Sequence, residues 1–516
     1  MQNDIFEAAR FDTGKRSDIV NEGISIDPVR YFILIARVRG MRKNQFHFYF
    51  MIVIEFLLFW QFGLMSDANA LPAFARKYDV ACTLCHTAFP KLNDFGVNFR
   101  DNGYQMGTES DLPTNESLGK GYFPLSFRTS VGYLYANQDA VQGKSGNRVG
   151  NYTSGLGSLN MDFLSAGLLD KDISFLVVPT GETSLLGGSA TFQLESAWIR
   201  LDNLAGSSLL NLKVGKGDLD IPFSEHRSLT FETPYVVYHY VPGTPYNSSG
   251  TLPVGDATST SLATFDTFAL GDHQGLLSLM GHTGDSLGIF RYSVDLVSNN
   301  QYGGHDLGYY LHVTQALFGG GYSSGYRGGL FYLDMPMPTT YDNSAGSAAG
   351  NIGSGSKPSL RYGVDLSGNF FNNRLNLFGV YLLGQDDKGL IPGATDNAKF
   401  WGGFVEANFM PDPKWMLIGR YDLVRNTTEP MSQIAPSGCS SGATSPNCAT
   451  IPALISSEGY DDVDSYTIAV RYALVVHNRG EIWVHSEFNE TLNKKTAFDG
   501  TDQTNDLFFL GLDFAF

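Results

Sequence analysis

The residues of this chain that could do chemistry stand close together. Ala81-Cys82-Thr83-Leu84-Cys85-His86 sets two thiols three positions apart with an imidazole directly behind the second, the pattern of c-type haem attachment. Each thiol can add to one haem vinyl group, and the adjacent histidine can then ligate the iron from the proximal side. The motif therefore predicts one covalently attached c-type haem and makes His86 the residue on which any redox activity turns. Two other chemistries share a Cys-x-x-Cys pair. A thioredoxin-like dithiol needs a βαβ setting, and half of a zinc site needs a second ligand pair at suitable spacing; neither shows in the sequence.

The iron's distal position has few candidates nearby. His86 is the sole histidine between Leu71 and Asp202, and Met106 is the sole methionine of the segment, following His86 by 20 residues. That separation lets the chain round the edge of a haem. Methionine opposite histidine raises the haem potential, which suits accepting electrons from a weak reductant. Plain apolar packing is the other role open to Met106. In that case a histidine of a later segment (His226, His239, His312 or His485) or water completes the iron.

Haem attachment of this kind follows export, so the motif requires an export signal upstream, and residues 41–70 read as one. Arg42 and Lys43 are basic, Phe46 to Leu64 is mostly apolar, and Ala68-Asn69-Ala70 is an A-x-A cleavage site. The mature chain would begin at Leu71. Glu55 and Gln61 interrupt the apolar run, whose length of about 20 residues also suits an uncleaved anchor. Residues 1–40 are mixed in charge and precede a methionine that opens a complete signal, so they read as an over-extended translation start.

A monohaem cytochrome c segment is assigned to 71–118 and a long body to 119–516. With 52 acidic against 35 basic residues the chain carries a formal charge of −17, and no nucleic acid is expected, because phosphate binding needs a basic face. It has 58 glycines, 37 Phe and 26 Tyr but only 17% charged residues. That balance suits aromatic-rich strands joined by small polar loops.

Strict alternation recurs along the body. Phe290, Tyr292, Val294 and Leu296 alternate with Arg291, Ser293 and Asp295; Tyr362, Val364 and Leu366 alternate with Arg361 and Asp365; Tyr466, Ile468, Val470, Tyr472 and Leu474 alternate with Thr467, Ala469, Arg471 and Ala473. A strand with one face in lipid and the other in a polar lumen requires this pattern. Phe508, Leu510, Leu512, Phe514 and Phe516 alternate up to a terminal phenylalanine, an ending that resembles the assembly signal of bacterial outer-membrane barrels. The expectation is an all-β fold, a transmembrane antiparallel β-barrel of about 16 strands in contact with the lipid bilayer, its first strand running from Tyr122 to Asn137. A water-soluble sandwich also alternates and is the competing fold.

Between Leu71 and that strand lie too few residues for a free-standing haem domain to exclude water unaided. The segment is therefore expected inside the lumen as a plug walled by the barrel. Long loops are read at Met335–Ser359, Gln385–Lys399 and Asn426–Asp462, the last with a disulfide between Cys439 and Cys448. Asp386, Asp387, Asp396, Asp461, Asp462 and Asp464 near the barrel mouths are either a concentrator of divalent cations or solvated loop charge.

Taken together, Leu71-Pro72-Ala73-Phe74-Ala75-Arg76, Cys82-Thr83-Leu84-Cys85-His86-Thr87, Phe89-Pro90-Lys91-Leu92, Phe95-Gly96 and Asn102-Gly103-Tyr104 resemble the haem segment of the fused monohaem cytochrome and porin family, the outer-membrane iron oxidases of iron-oxidising bacteria. The resemblance is specific over Leu71 to about Met106 and architectural across the barrel. It implies an Fe(II):cytochrome c oxidoreductase of the bacterial outer membrane that passes electrons from extracellular Fe(II) through one haem to a periplasmic cytochrome c or copper protein. Cys82, Cys85 and His86 carry over onto the family's haem motif. The matched pattern ends at Tyr104, so Met106 rests on the residue reading alone. Two other functions remain open: a porin whose haem is structural or gating, and electron uptake from another extracellular donor.

Overall fold

The computed structural model describes residues 73–515 apart from 143–147, 157, 185–190, 241, 243–269, 286–287, 299–305, 319–324, 339–355, 391–395, 429–461, 478–479, 495–501. The expected signal peptide, residues 1–40 and the Cys439–Cys448 pair all lie outside the described residues.

Three short helices precede the sheet: α1 (Ala73–Tyr78), α2 (Asp94–Asp101) and α3 (Thr114–Gly119). From Leu125 the chain runs in antiparallel strands that close on themselves, the last strand, Gln503–Ala515, pairing with the first, Leu125–Gln142, from Asn505↔Gln138 to Ala515↔Arg128. The second strand comes in two collinear pieces, Arg148–Leu156 and Ser158–Asp170, both paired with the first. Counting them as one gives a closed barrel of 16 strands, the number expected from the sequence. From Gln274–Asp285 onward the strands are 11 to 16 residues long, enough to cross a bilayer when tilted.

The distribution of side chains is the reverse of a water-soluble protein's. Val294, Tyr362, Leu366, Tyr466 and Ile468 are exposed on the outer surface, while Arg291, Asp295, Arg361, Asp365 and Arg471 are buried inside. The interior charges survive because they are paired: Arg361 with Asp386 at 2.7 Å, Arg420 with Asp422 at 2.7 Å and Arg471 with Asp513 at 3.1 Å. This is a transmembrane barrel with an apolar outer band, and it excludes the sandwich.

Two boundaries differ from the sequence reading. The first strand begins at Leu125 rather than Tyr122, because the Tyr122 amide closes α3 on the Ser117 carbonyl and Arg76 holds the Phe123 and Leu125 carbonyls. The region expected to loop from Met335 to Ser359 continues the ladder as far as Pro338↔Ser356, since Met335 and Met337 point inward and are fully buried.

Connections alternate between the two ends of the barrel. The short turns 171–172, 371–374 and 410–414 lie at one end, and the strands bounding the long connections 218–273, 339–355, 387–397 and 427–461 end at the other. Such barrels keep short turns toward the periplasm and long loops outside. The segment preceding the first strand therefore enters from the short-turn end.

A second inward segment was not foreseen. After the seven-residue strand Asn211–Gly217 the chain turns into the lumen, where Leu219, Ile221, Tyr235 and the short helix α4 (Val236–His239) pack on Phe331, Leu333, Phe378 and Phe404 of the wall. Tyr235 stacks on Phe404 with ring centroids 3.9 Å apart. The barrel is thus filled from both ends.

Candidate functional site

Ala81 to His86 fold as a single tight turn. The Leu84 amide donates to the Ala81 carbonyl at 3.0 Å and the Cys85 amide to the Cys82 carbonyl at 3.1 Å. His86 then opens a two-residue ladder with Leu92. The His86 Nδ1 lies 3.3 Å from the Pro90 carbonyl oxygen. A carbonyl can only accept, so Nδ1 carries the proton and Nε2 keeps the lone pair, the arrangement a metal-ligating imidazole needs. Burial also pulls the His86 pKa below its ordinary value and favours the neutral ring.

Helix α2 holds this turn from behind. Asn93 caps it by accepting from the Gly96 amide at 3.0 Å, while its own amide donates to the Cys85 carbonyl at 2.9 Å. A Cβ at Gly96 would overlap that same Cys85 carbonyl, so no larger residue fits without moving the motif. Gly96→Val is accordingly expected to cost about 1–3 kcal/mol of plug stability, the usual range for overpacking, and to lower the yield of covalent haem. The haem-to-protein ratio and a thermal melt test this, and unchanged values would show that α2 does not position the motif.

Met106 is brought to the same place by Asp111. That carboxylate accepts from the amides of Met106 at 2.9 Å, Gly107 at 2.6 Å and Thr108 at 3.0 Å, and from the Tyr78 hydroxyl at 2.7 Å. Just before it, Tyr104 is clasped between Phe74, with centroids 4.9 Å apart, and Trp198 of the wall at 6.2 Å. Gly103, at φ +74°, permits this turn, and a Cβ there would run into the Asp202 carboxylate.

Cys82, Cys85, His86 and Met106 all line one cavity of about 280 Å³. Its apolar walls are partly plug, with Phe74, Val80 and Leu92, and partly barrel, with Leu164, Ala166, Leu176 and Val178, while Arg128, Asp162, Asp218, Arg227 and Glu481 are among the charged residues that border it. The donor set and the largely apolar walls fit a c-type haem: two thiols for thioethers, a neutral imidazole and a thioether sulfur. Burial, helped by Glu481, pushes the Cys82 thiol up to about 12, and burial pushes that of Cys85 up to about 11. Thiols so placed are protonated at neutral pH, and the thiolate is the reactive form.

Docking itself rests on polar clamps. Arg471, over the rings of Phe231 and Trp483, donates to the Phe89 carbonyl at 2.7 Å. Arg200 donates to the Arg100 carbonyl at 2.6 Å, Arg291 pairs with Asp101 at 2.6 Å, and Lys91 donates to Asn376 Oδ1 at 2.7 Å.

The later histidines divide clearly. His239 lies 2.7 Å from Glu225, His312 lies 3.1 Å from Asp365, and His485 lies 3.2 Å from Glu487; none of these three lines the cavity. His226 does, beside His273 and Glu195, which the sequence gave no reason to single out. Of the acidic residues near the mouths, Asp386 is buried against Arg361, and Asp464 is held by Arg425 and Lys494. Asp461 lies outside the described residues.

Neither family models nor curated protein sequences match this chain. Solved structures similar to it include an anion-selective porin from Comamonas acidovorans (11% identity, TM-score 0.43, covering 76% of this chain and 99% of that one). The outer membrane channel DcaP of Acinetobacter baumannii matches at 11% identity and TM-score 0.42, covering 76% of this chain and 97% of that one. OprB of Pseudomonas putida matches at 13% identity and TM-score 0.42, covering 78% and 96%.

Proposed function

We propose that this protein is a c-type cytochrome of the bacterial outer membrane that oxidises extracellular Fe(II) and delivers the electrons to a periplasmic cytochrome c or copper protein. One observation carries the reading. Cys82, Cys85, His86 and Met106, from the segment entering at the short-turn end, share a cavity with His226 and His273, from the connection at the long-loop end. A hydrocarbon core about 30 Å thick separates donor from acceptor, and a centre between the two inward segments is where both can come close. A haem held by Cys82, Cys85 and His86 would supply a one-electron redox centre. The chain's own residues then have distinct tasks. Pro90 fixes the His86 tautomer, Met106 offers a thioether that favours a high potential, and the apolar wall from Leu164 to Val178 keeps water out. Export by the 41–70 signal and the lipid-facing band agree with an outer-membrane location.

A porin with a structural or gating haem is the second reading, favoured by the closed barrel of 16 strands. Two packed lumen segments weigh against free solute flow. Rapid mixing of the purified holoprotein with Fe(II) while following the haem spectrum separates the readings. The expected result is full reduction at pH values somewhere within the range of about 2 to 7. Failure at every pH, together with measurable ion conductance in a planar bilayer, would establish the porin instead; rapid reduction by a reduced sulfur compound alone would change the donor.

A further inference from the structure

Three side chains far apart in sequence converge on the wall of the cavity. Glu195 comes from the strand Thr191–Leu201, His226 from a turn of the inward segment, and His273 from the residue before the strand Gln274–Asp285. Their ligand atoms all lie within 4.8 Å of one another. Glu195 Oε1 is 3.3 Å from His226 Nδ1 and 3.4 Å from His273 Nε2, and the two imidazole centroids are 4.1 Å apart. Charge-assisted hydrogen bonds run shorter, about 2.7–2.9 Å. Ligand atoms about 2.1 Å from one ion stand about 3.0 Å apart in an octahedron and about 3.4 Å apart in a tetrahedron, which is the spacing found.

The surroundings agree with a cation site. The Thr180 hydroxyl donates to the other oxygen of Glu195 at 2.6 Å, orienting the carboxylate. Nδ1 is the nitrogen of His226 that faces Glu195, the one placed to ligate an ion there. A second cavity, of about 540 Å³, borders the same wall and is lined by Glu195, Glu225, His226 and Glu232 among others. Arg128, His239 and Arg471 line that space as well, so its charge is mixed.

We propose that Glu195, His226 and His273 bind the ferrous ion that the protein oxidises, within the wall of the cavity shared by Cys82, Cys85 and His86. Two imidazoles and one carboxylate with further positions open are a donor set suited to Fe(II). The bound ion would give one electron to an oxidised haem held by Cys82, Cys85 and His86 and leave as Fe(III), and the periplasmic carrier would take that electron onward. The identity of the ion rests on the iron-oxidation reading, whereas the site rests on geometry.

Redox-inert Zn(II) separates these two. Calorimetric titration of the assembled holoprotein with Zn(II) should show one tight site, weakened at least ten-fold in Glu195→Gln and in His273→Gln. Haem reduction by Fe(II) should slow by a similar factor in both variants and be inhibited by Zn(II) in the wild type, while reduction by dithionite stays unchanged. Heat-modifiable electrophoresis checks barrel assembly, and Glu195→Asp should restore part of the Zn(II) affinity. Unchanged Zn(II) binding in both Gln variants would overturn the site even if Fe(II) reduces the protein. A haem spectrum that loses its sixth ligand in His273→Gln would also overturn it, reassigning that histidine to haem. Tight Zn(II) binding lost in the variants, with no reduction by Fe(II) in the wild type, would keep the metal site and defeat the oxidase reading.

Discussion

Replacing both thiols, Cys82→Ala with Cys85→Ala, is expected to abolish acid-stable haem in a barrel that still assembles. The loss should be complete, because thioether bonds are the sole covalent tie between a c-type haem and its protein. The barrel should survive, since the ladder from Leu125 to Ala515 closes without them and the plug is held by Arg471, Arg200, Arg291 and Lys91 rather than by sulfur. Haem staining after denaturing electrophoresis and intact mass measure the first part; heat-modifiable migration measures the second. Cys439→Ala with Cys448→Ala should leave the stain intact, and its thiols in the wild type should resist alkylation until reduced. Haem that stays covalently bound without Cys82 and Cys85 would remove the cytochrome assignment altogether.

The barrel was legible because its signal is local and repeated. Every second residue of 361–366 or 466–473 meets lipid, so period-two alternation of Tyr, Ile and Val against Arg, Asp and Thr reports the sheet without knowledge of its partners. The closeness of Cys82, Cys85 and His86 was legible for the same reason, since all three lie within one turn of the chain. That the plug borrows its walls from the barrel followed from size alone, and Leu164, Leu176 and Val178 now occupy that role. His226 was noticed only as a possible haem ligand, and its grouping with Glu195 and His273 was illegible because barrel closure, not sequence spacing, brings the three within reach of one ion. The second inward segment was hidden differently. Tyr235 to Tyr240 is a short apolar run with neither helical nor strand period, and only the seven-residue length of the strand before it, Asn211–Gly217, marks where the wall stops and the chain turns inward. Met106 lies between these cases: its type suggested a role, but the carboxylate that fixes its backbone, Asp111, is an unremarkable acidic residue until the loop is folded around it.

The iron ligands give the other large effect. His86→Ala should eliminate Fe(II)-driven reduction, because it removes the imidazole that lines the cavity and whose Nδ1 proton is committed to Pro90. Met106→Ala should act more selectively, keeping covalent haem while lowering its potential. Axial ligation sets haem potentials over a range of about 0.8 V, and exchanging a thioether for water is expected to shift this one down by on the order of 0.1 V. At 59 mV per decade for one electron, that shift disfavours reduction by Fe(II) roughly fifty-fold. Asp111→Ala should move in the same direction by a smaller amount, since it frees the Met106, Gly107 and Thr108 amides without removing the sulfur. A redox titration of the three proteins beside their Fe(II) reduction kinetics decides the matter. Equal potentials in wild type and Met106→Ala would pass the distal position to His226, His273 or solvent, the other groups that share the cavity. A lowered potential in Met106→Ala with a wild-type potential in Asp111→Ala would instead leave the methionine in place and show that its loop needs no carboxylate to present it.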